Sequence, residues 1–317
     1  SLGSGQCNLQ NSHPRQSTTT ILDGLKAMAP AGWTVTHAPG CAIEHEGQDG
    51  LPAAARLAAE SDLVVLVLGD SLPFIGETHS TATLELQGGQ KALVEAVFAT
   101  GKPVVTVLVN SKPLVLPPKV LGSAALIELF NPGMAGGTAL AEVLFGVCNP
   151  SGKLPVSIPF HVGQQPVYYN QVRGQHGDRY ADLGQDPAFA FGFGLGYTRF
   201  ELSDLRVVKI AVGRAETCSF TVNLHNRGER EGTEVVQLYI EDLVTSATWV
   251  GQELKAFRRV TLAAGQSRTV EFDLPVAELS IVNAAGERVV EPGEFAVHIG
   301  TSSRRQDQLT GTFRVTV

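Results

Sequence analysis

Two periods of apolar residues divide this chain. Residues 61–69 and 103–109 are short, almost continuously apolar and rich in valine and leucine, the pattern of parallel strands covered on both faces. Residues 124–129 form a weaker third run. Between them, residues 51–59, 87–99 and 137–145 are alanine-rich, with apolar positions three and four apart, which predicts helices packed by one face. Strand and helix alternating in this way predict a layered α/β sheet.

After about residue 199 the period changes to two. Residues 219–224, 234–240, 267–274 and 293–299 alternate polar and apolar positions, as half-buried strands of an antiparallel sandwich do. Turn signals at Asn226-Arg227-Gly228, Ala264-Gly265 and Glu291-Pro292-Gly293 separate them. The expected fold class is therefore α/β plus all-β, with an α/β domain over residues 1–160, a linker over 161–198 and a β-sandwich over 199–317. The linker has little regular pattern, and connections of that length are usually functional or wrapped on a surface.

Composition narrows the class of function. With 43% hydrophobic and 17% charged residues over 317 positions, the chain can bury two cores and is not disordered. A net charge of -7 with no run of Lys or Arg gives no electrostatic basis for binding nucleic acid or an anionic membrane. No apolar stretch approaches the ~20 residues of a spanning helix, and the first eleven residues show no leader pattern. Cysteines stand at positions 7, 41, 148 and 218 without metal-binding spacing; Cys7 and Cys41 could pair if the protein is exported.

Three blocks are harder to explain by packing alone. They are Asn131-Pro132-Gly133-Met134-Ala135-Gly136-Gly137, then Phe145-Gly146-Val147-Cys148-Asn149-Pro150-Ser151-Gly152-Lys153-Leu154-Pro155, then Phe191-Gly192-Phe193-Gly194-Leu195-Gly196-Tyr197-Thr198. In this order and spacing they resemble the C-terminal half of family 3 glycoside hydrolases, which usually reads "PGxEGG", "FGxxNPSGKLP" and "FGxGLSYT". Ala135, Val147 and Gly196 depart from that pattern. The resemblance implies that the sandwich is fibronectin type III-like and that the whole is part of a retaining, exo-acting β-glycosidase of β-glucosidase type, periplasmic or secreted.

In open α/β sheets the ligand crevice lies beyond the carboxyl ends of the strands. The first apolar run leads into Gly69-Asp70-Ser71-Leu72-Pro73-Phe74-Ile75-Gly76-Glu77-Thr78-His79-Ser80, a loop by its glycine and proline, with two carboxylates and a histidine. The resemblance puts Glu77 on the family's general acid/base, with Asp70 as the alternative, and Phe74 on a substrate-contacting aromatic position. Ser80-Thr81-Ala82 stands where the family commonly has Asp or Arg. Glycosidic hydrolysis with retention needs a protonated carboxyl beside the leaving oxygen and a second carboxylate ~5 Å away as nucleophile. It needs no cofactor and no metal.

The family takes its nucleophilic aspartate from an N-terminal (β/α)8 barrel, which these residues do not encode. Residues 18–29 match the helix that follows the family's opening strand, so the chain is expected to begin inside a domain. The expected partners are thus a β-linked glucoside or oligosaccharide and a barrel, present as a companion chain or as a missing part of the polypeptide. The alternative function is a non-catalytic carbohydrate-binding or structural module, with Trp249, Tyr168, Tyr169 and Phe74 as candidate sugar-stacking rings.

Overall fold

The computed structural model describes residues 17–172 and 180–317. Cys7 lies outside them, and so does any pairing of it with Cys41. The chain divides into two compact units, one running to Cys148 and including Phe160–Gly163, the other comprising Asn149–Pro159 and Gln164–Val317.

In the first unit the three apolar runs become strands β1 (Val64–Gly69), β2 (Val104–Val109) and β3 (Ala125–Glu128). They form one sheet in the order β1-β2-β3 with both pairings parallel. The helices are α1 (Ile21–Met28), α2 (Leu51–Glu60), α3 (Gln90–Phe98), the single turn α4 (Pro118–Leu121) and α5 (Gly136–Leu144). Thr20 caps α1, its hydroxyl oxygen accepting from the Asp23 N–H at 3.1 Å.

Val105 and Val107 on one face of β2 are buried with Ile21 and Leu25 of α1 and Leu140 and Ala141 of α5. The opposite face, with Leu66, Leu68, Val104 and Leu108, is buried too, as continuous apolar strands require. Helices α1 and α5 cross where Gly24 faces Gly137: a Cβ on Gly24 would lie 2.2 Å from the Gly137 carbonyl oxygen, so the glycine permits the crossing. Among the described residues no strand pairs with the outer edge of β1. Leu63 and Val67 there are 43% and 37% exposed.

The second unit is a sandwich of β4 (Phe200–Val207), β5 (Ala211–Gly213), β6 (Thr217–Asn226), β7 (Gly232–Asp242), β8 (Glu253–Leu262), β9 (Ser267–Pro275), β12 (Gly293–Gly300) and β13 (Leu309–Thr316), with a two-residue ribbon of β10 (Ile281–Val282) and β11 (Arg288–Val289). One sheet runs β5-β13-β12-β7-β8 and the other β4-β6-β9. Phe220, Phe272, Phe295, Leu224 and Leu238 fill the core between them. The sandwich is antiparallel except that β5 pairs parallel with β13. The chain leaves one sheet after β4, which is bulged between Ser203 and Arg206, and joins the other as β5.

Two of the three sequence blocks brace this unit. Asn149 Nδ2 donates to the Glu231 carbonyl at 2.8 Å while its Oδ1 accepts from the Tyr197 N–H at 2.7 Å. Lys153 Nζ donates to the Gly194 carbonyl at 2.8 Å and pairs with Glu234 at 2.6 Å, both side chains nearly buried. The block containing Asn149 and Lys153 and the block around Gly194 are thus sewn together, which explains why they occur as a set.

Candidate active site

The loop after β1 starts from a close backbone approach. Gly69 has φ 152°, and a Cβ there would lie 1.8 Å from the Val109 carbonyl oxygen, so no other residue fits. Gln90, at the start of α3 and 2% exposed, closes on the same residue. Its Oε1 accepts from the Gly69 N–H at 2.8 Å, and its Nε2 donates to the Gly69 and Gln87 carbonyls at 2.9 and 3.0 Å. The amide takes the place of a neighbouring strand at the last residue of β1.

Asp70 follows, half-buried. Its N–H donates to the Val109 carbonyl at 3.0 Å, and its carboxylate accepts from the Ser111 N–H and hydroxyl at 3.3 Å. The structure therefore gives Asp70 a tie between the ends of β1 and β2. Ser71 is buried and donates its hydroxyl to Glu44 at 3.0 Å.

Beyond a 3-10 turn at Leu72–Phe74 the chain reverses through two left-handed residues, Gly76 (φ 95°) and Thr78 (φ 66°). Glu77 lies between them, exposed, and its carboxylate makes no hydrogen bond or ion pair among the described residues. Phe74 is half-buried. His79 is exposed, and its N–H donates to the Gly76 carbonyl at 3.2 Å. Phe74, Glu77 and Asp70 thus share one loop, with Glu77 outward and Asp70 at the base.

Sequence reasoning missed Lys112, two residues past the buried Asn110. Its ammonium donates to the Phe74 carbonyl at 3.1 Å and to the Thr81 hydroxyl at 2.8 Å, and Thr81 donates on to the Thr83 carbonyl at 2.6 Å. A lysine reaching across from the segment after β2 does the bracing that no charged residue at positions 80–82 supplies. The signal was a cation three residues after an apolar strand, which a count of charges along one loop does not reveal.

A second carboxyl sits at the end of β3. Glu128 accepts from the Phe130 N–H at 2.9 Å and from Asn110 Nδ2 at 3.2 Å, and the same Nδ2 donates to the Lys112 carbonyl at 2.7 Å. Burial pushes the Glu128 carboxyl up to about 7 against those two hydrogen bonds, with the nearby Asp70 charge adding to the rise. Asn110 Oδ1 is buried without a hydrogen-bond partner.

The remaining candidate rings belong to the second unit. Tyr169 is stacked on Phe191 with centroids 4.3 Å apart, and Trp249 Nε1 donates to Glu253 at 3.2 Å, while Tyr168 is 65% exposed. Among the described residues no group of three or more His, Cys, Asp or Glu could hold a metal, and no helix is long and apolar enough to cross a membrane.

The model of the glycosyl hydrolase family 3 C-terminal domain matches residues 1–197, and that of a fibronectin type III-like domain matches residues 234–303. A β-xylosidase of Formosa agariphila is 39% identical over 303 residues, covering 93% of this chain and 41% of its own length. A periplasmic β-glucosidase of Salmonella typhimurium is 37% identical over 272 residues, covering 83% and 35%. Among solved structures, a β-glucosidase involved in saponin metabolism from intestinal bacteria superposes with a TM-score of 0.92 at 44% identity, over 99% of this chain and 48% of that one. The chain thus spans less than half the length of these relatives.

Proposed function

The chain belongs to family 3 of the glycosyl hydrolases, and from that premise we propose that Glu77 is the general acid/base of a retaining, exo-acting β-glycosidase. The observation that carries this reading is the placement of Glu77. It is the carboxylate that the loop beyond β1 holds outward and unpaired, at the strand ends where an open α/β sheet binds its ligand. In this reading Glu77 protonates the departing glycosidic oxygen and then deprotonates the water that releases the sugar, while the nucleophilic aspartate comes from a barrel outside these residues. Phe74, next to it on the loop, flanks the sugar. The barrel is supplied by a companion chain or by the rest of a longer polypeptide.

Glucose is the proposed sugar, supported by the β-glucosidase relatives; the Formosa enzyme, named a β-xylosidase, makes β-xyloside the second reading. Paired kcat/KM values on matched aryl glucosides and xylosides decide between them. A periplasmic or secreted location is proposed from the Salmonella relative.

Glu77→Gln in the complete enzyme tests the role. General acid–base assistance contributes about 10²–10⁴-fold, and it matters most where the leaving group cannot depart as an anion. The variant should lose that much in kcat/KM on disaccharides and alkyl glucosides but far less in kcat/KM on dinitrophenyl glucoside, whose glycosylation needs no proton, while the release of the sugar slows for both. Equal loss on both removes Glu77 from the role.

A further inference from the structure

We propose that Lys112 is a positioning residue for Glu77, clasping both shoulders of its loop to the end of β2. The inference rests on the reading of Glu77 as the acid/base and adds the part of the chain that sets where that carboxyl stands.

The hydrogen bonds of the loop explain the choice. At its base the loop is tied by Asp70 to Ser111 and by Ser71 to Glu44, and at its far end the Val115 N–H donates to the Leu84 carbonyl at 2.8 Å. Between these anchors the bonds internal to the loop are short-range: Ile75 N–H to the Leu72 carbonyl, and His79 N–H and Ser80 hydroxyl to the Gly76 carbonyl. They curl the chain but fix it to nothing. The two bonds from the Lys112 ammonium, to the Phe74 carbonyl and the Thr81 hydroxyl, tie this middle stretch to the sheet. One acceptor precedes Glu77 by three residues and the other follows it by four.

The anchor itself is rigid. Asn110 is 1% exposed, and its Nδ2 holds the Lys112 carbonyl, so the lysine backbone is pinned before its side chain reaches out; Pro113 fixes φ at the next position. Lys112 is half-buried and makes no ion pair among the described residues, so its charge strengthens bonds to neutral oxygens instead of being spent on a carboxylate. Both left-handed residues, Gly76 and Thr78, lie inside the clasped stretch. Holding Thr78, a β-branched residue, at φ 66° costs strain that persists only when the surroundings impose it. The clasp supplies that restraint.

The test is run in the complete enzyme with Lys112→Met, Lys112→Arg, Thr81→Val and Thr81→Ser beside Glu77→Gln, on a disaccharide or alkyl glycoside and on dinitrophenyl glycoside. Since misplacing a catalytic group by 1 Å costs on the order of 10²-fold, Lys112→Met should lower kcat/KM, which reports the glycosylation step, by about 10–100-fold on the poor leaving group while kcat/KM on the activated glycoside is much less affected. Thr81→Val, which keeps the lysine, should show the same split more weakly, and Thr81→Ser, which keeps the acceptor, should restore wild-type behaviour. Exchange of the amides of residues 75–80 should quicken in Lys112→Met and Thr81→Val. Should Lys112→Met fail to fold, Thr81→Val against Thr81→Ser decides alone. Equal losses on both substrates, or none, overturn the positioning role while Glu77→Gln still shows its split; if Glu77→Gln shows no split, both readings fall together.

Discussion

Replacing Gln90 by leucine should loosen the base of the loop beyond β1 by an amount the structure lets one work out. Gln90 is almost fully buried and makes three hydrogen bonds, two of them to the N–H and carbonyl of buried Gly69. Leucine fills similar space but leaves both Gly69 groups without a partner, at about 1–3 kcal/mol each, against which its own apolar burial returns a part. A net destabilisation of about 3 kcal/mol follows. Gln90→Glu is the sharper test. Its one oxygen can still accept from the Gly69 N–H, but the other faces two carbonyls and fits only when protonated. A carboxyl in that position titrates above the ~4.3 of the unfolded chain, so the variant should be near wild type at pH 4 and lose stability as the pH rises. At about 1.36 kcal/mol per unit, the loss by pH 7 is about 3–4 kcal/mol. Because the chain has two units, native-state exchange of the Gly69 and Asp70 amides, together with urea unfolding at pH 4 and pH 7, reads the right part of the molecule. If Gln90→Leu stays within about 0.5 kcal/mol of wild type, or if Gln90→Glu is equally stable at both pH values, the reasoning is wrong.

Three other predictions concern charge and edge. Glu128 is raised from 4.5 to about 7, chiefly by burial, so its unfavourable contribution is absent below about pH 4.5 and fully developed above about pH 7; Glu128→Gln should gain on wild type by about 1–2 kcal/mol across that window in urea titrations, and a pH-independent difference would refute it. His298 is pushed down from 6.5 to about 4 by burial first and then by Arg305, with Glu241 pulling the other way; the stability it confers is complete above pH 6.5 and lost as the pH falls toward 4. His298→Gln should flatten the acid limb of β12 amide protection, and an unchanged limb would count against this. Val67→Lys places a charge on the outer edge of β1, with which no strand pairs among the described residues, and should reduce self-association of the isolated 317-residue chain in sedimentation, whereas no association in either form would refute the role of that edge.

How much of this was legible in the sequence depends on the kind of order involved. The parallel strands and their helices were readable because burial on both faces leaves continuous apolar runs, as at residues 64–69 and 104–109. Strand β8 was not, since Phe257, Arg258 and Arg259 in its middle are exposed and break the alternation. Strand β5 is three residues long and gives no period to detect. At the site, the loop was readable from glycine, proline and charge, whereas the choice of Glu77 within it came from the family resemblance. Gln90 and Lys112 were not, because each acts across a strand boundary on a backbone group, and a backbone acceptor leaves no trace in the sequence.

The same distinction separates what identifies the chain from what would make it act. The blocks from Asn149 and around Gly194 carry the strongest resemblance, yet their polar side chains are spent on one another and on β7. They brace, and bracing constrains sequence tightly. The loop chemistry is sparser: of the carboxylates gathered at the ends of β1 and β3, Asp70 is occupied by Ser111 and Glu128 by Asn110 and Phe130, which leaves Glu77 free to meet a substrate. A retaining mechanism needs a second free carboxylate ~5 Å from the first, and neither Asp70 nor Glu128, both occupied, supplies it. The proposal for Glu77 therefore carries its own condition. The chain covers 41% of the Formosa relative and 35% of the Salmonella one, and the nucleophile belongs, on this reading, to what those relatives have and these residues do not. Lys112 then matters for a physical reason: an acid that must meet a nucleophile held on another part of the enzyme cannot afford a loop that drifts.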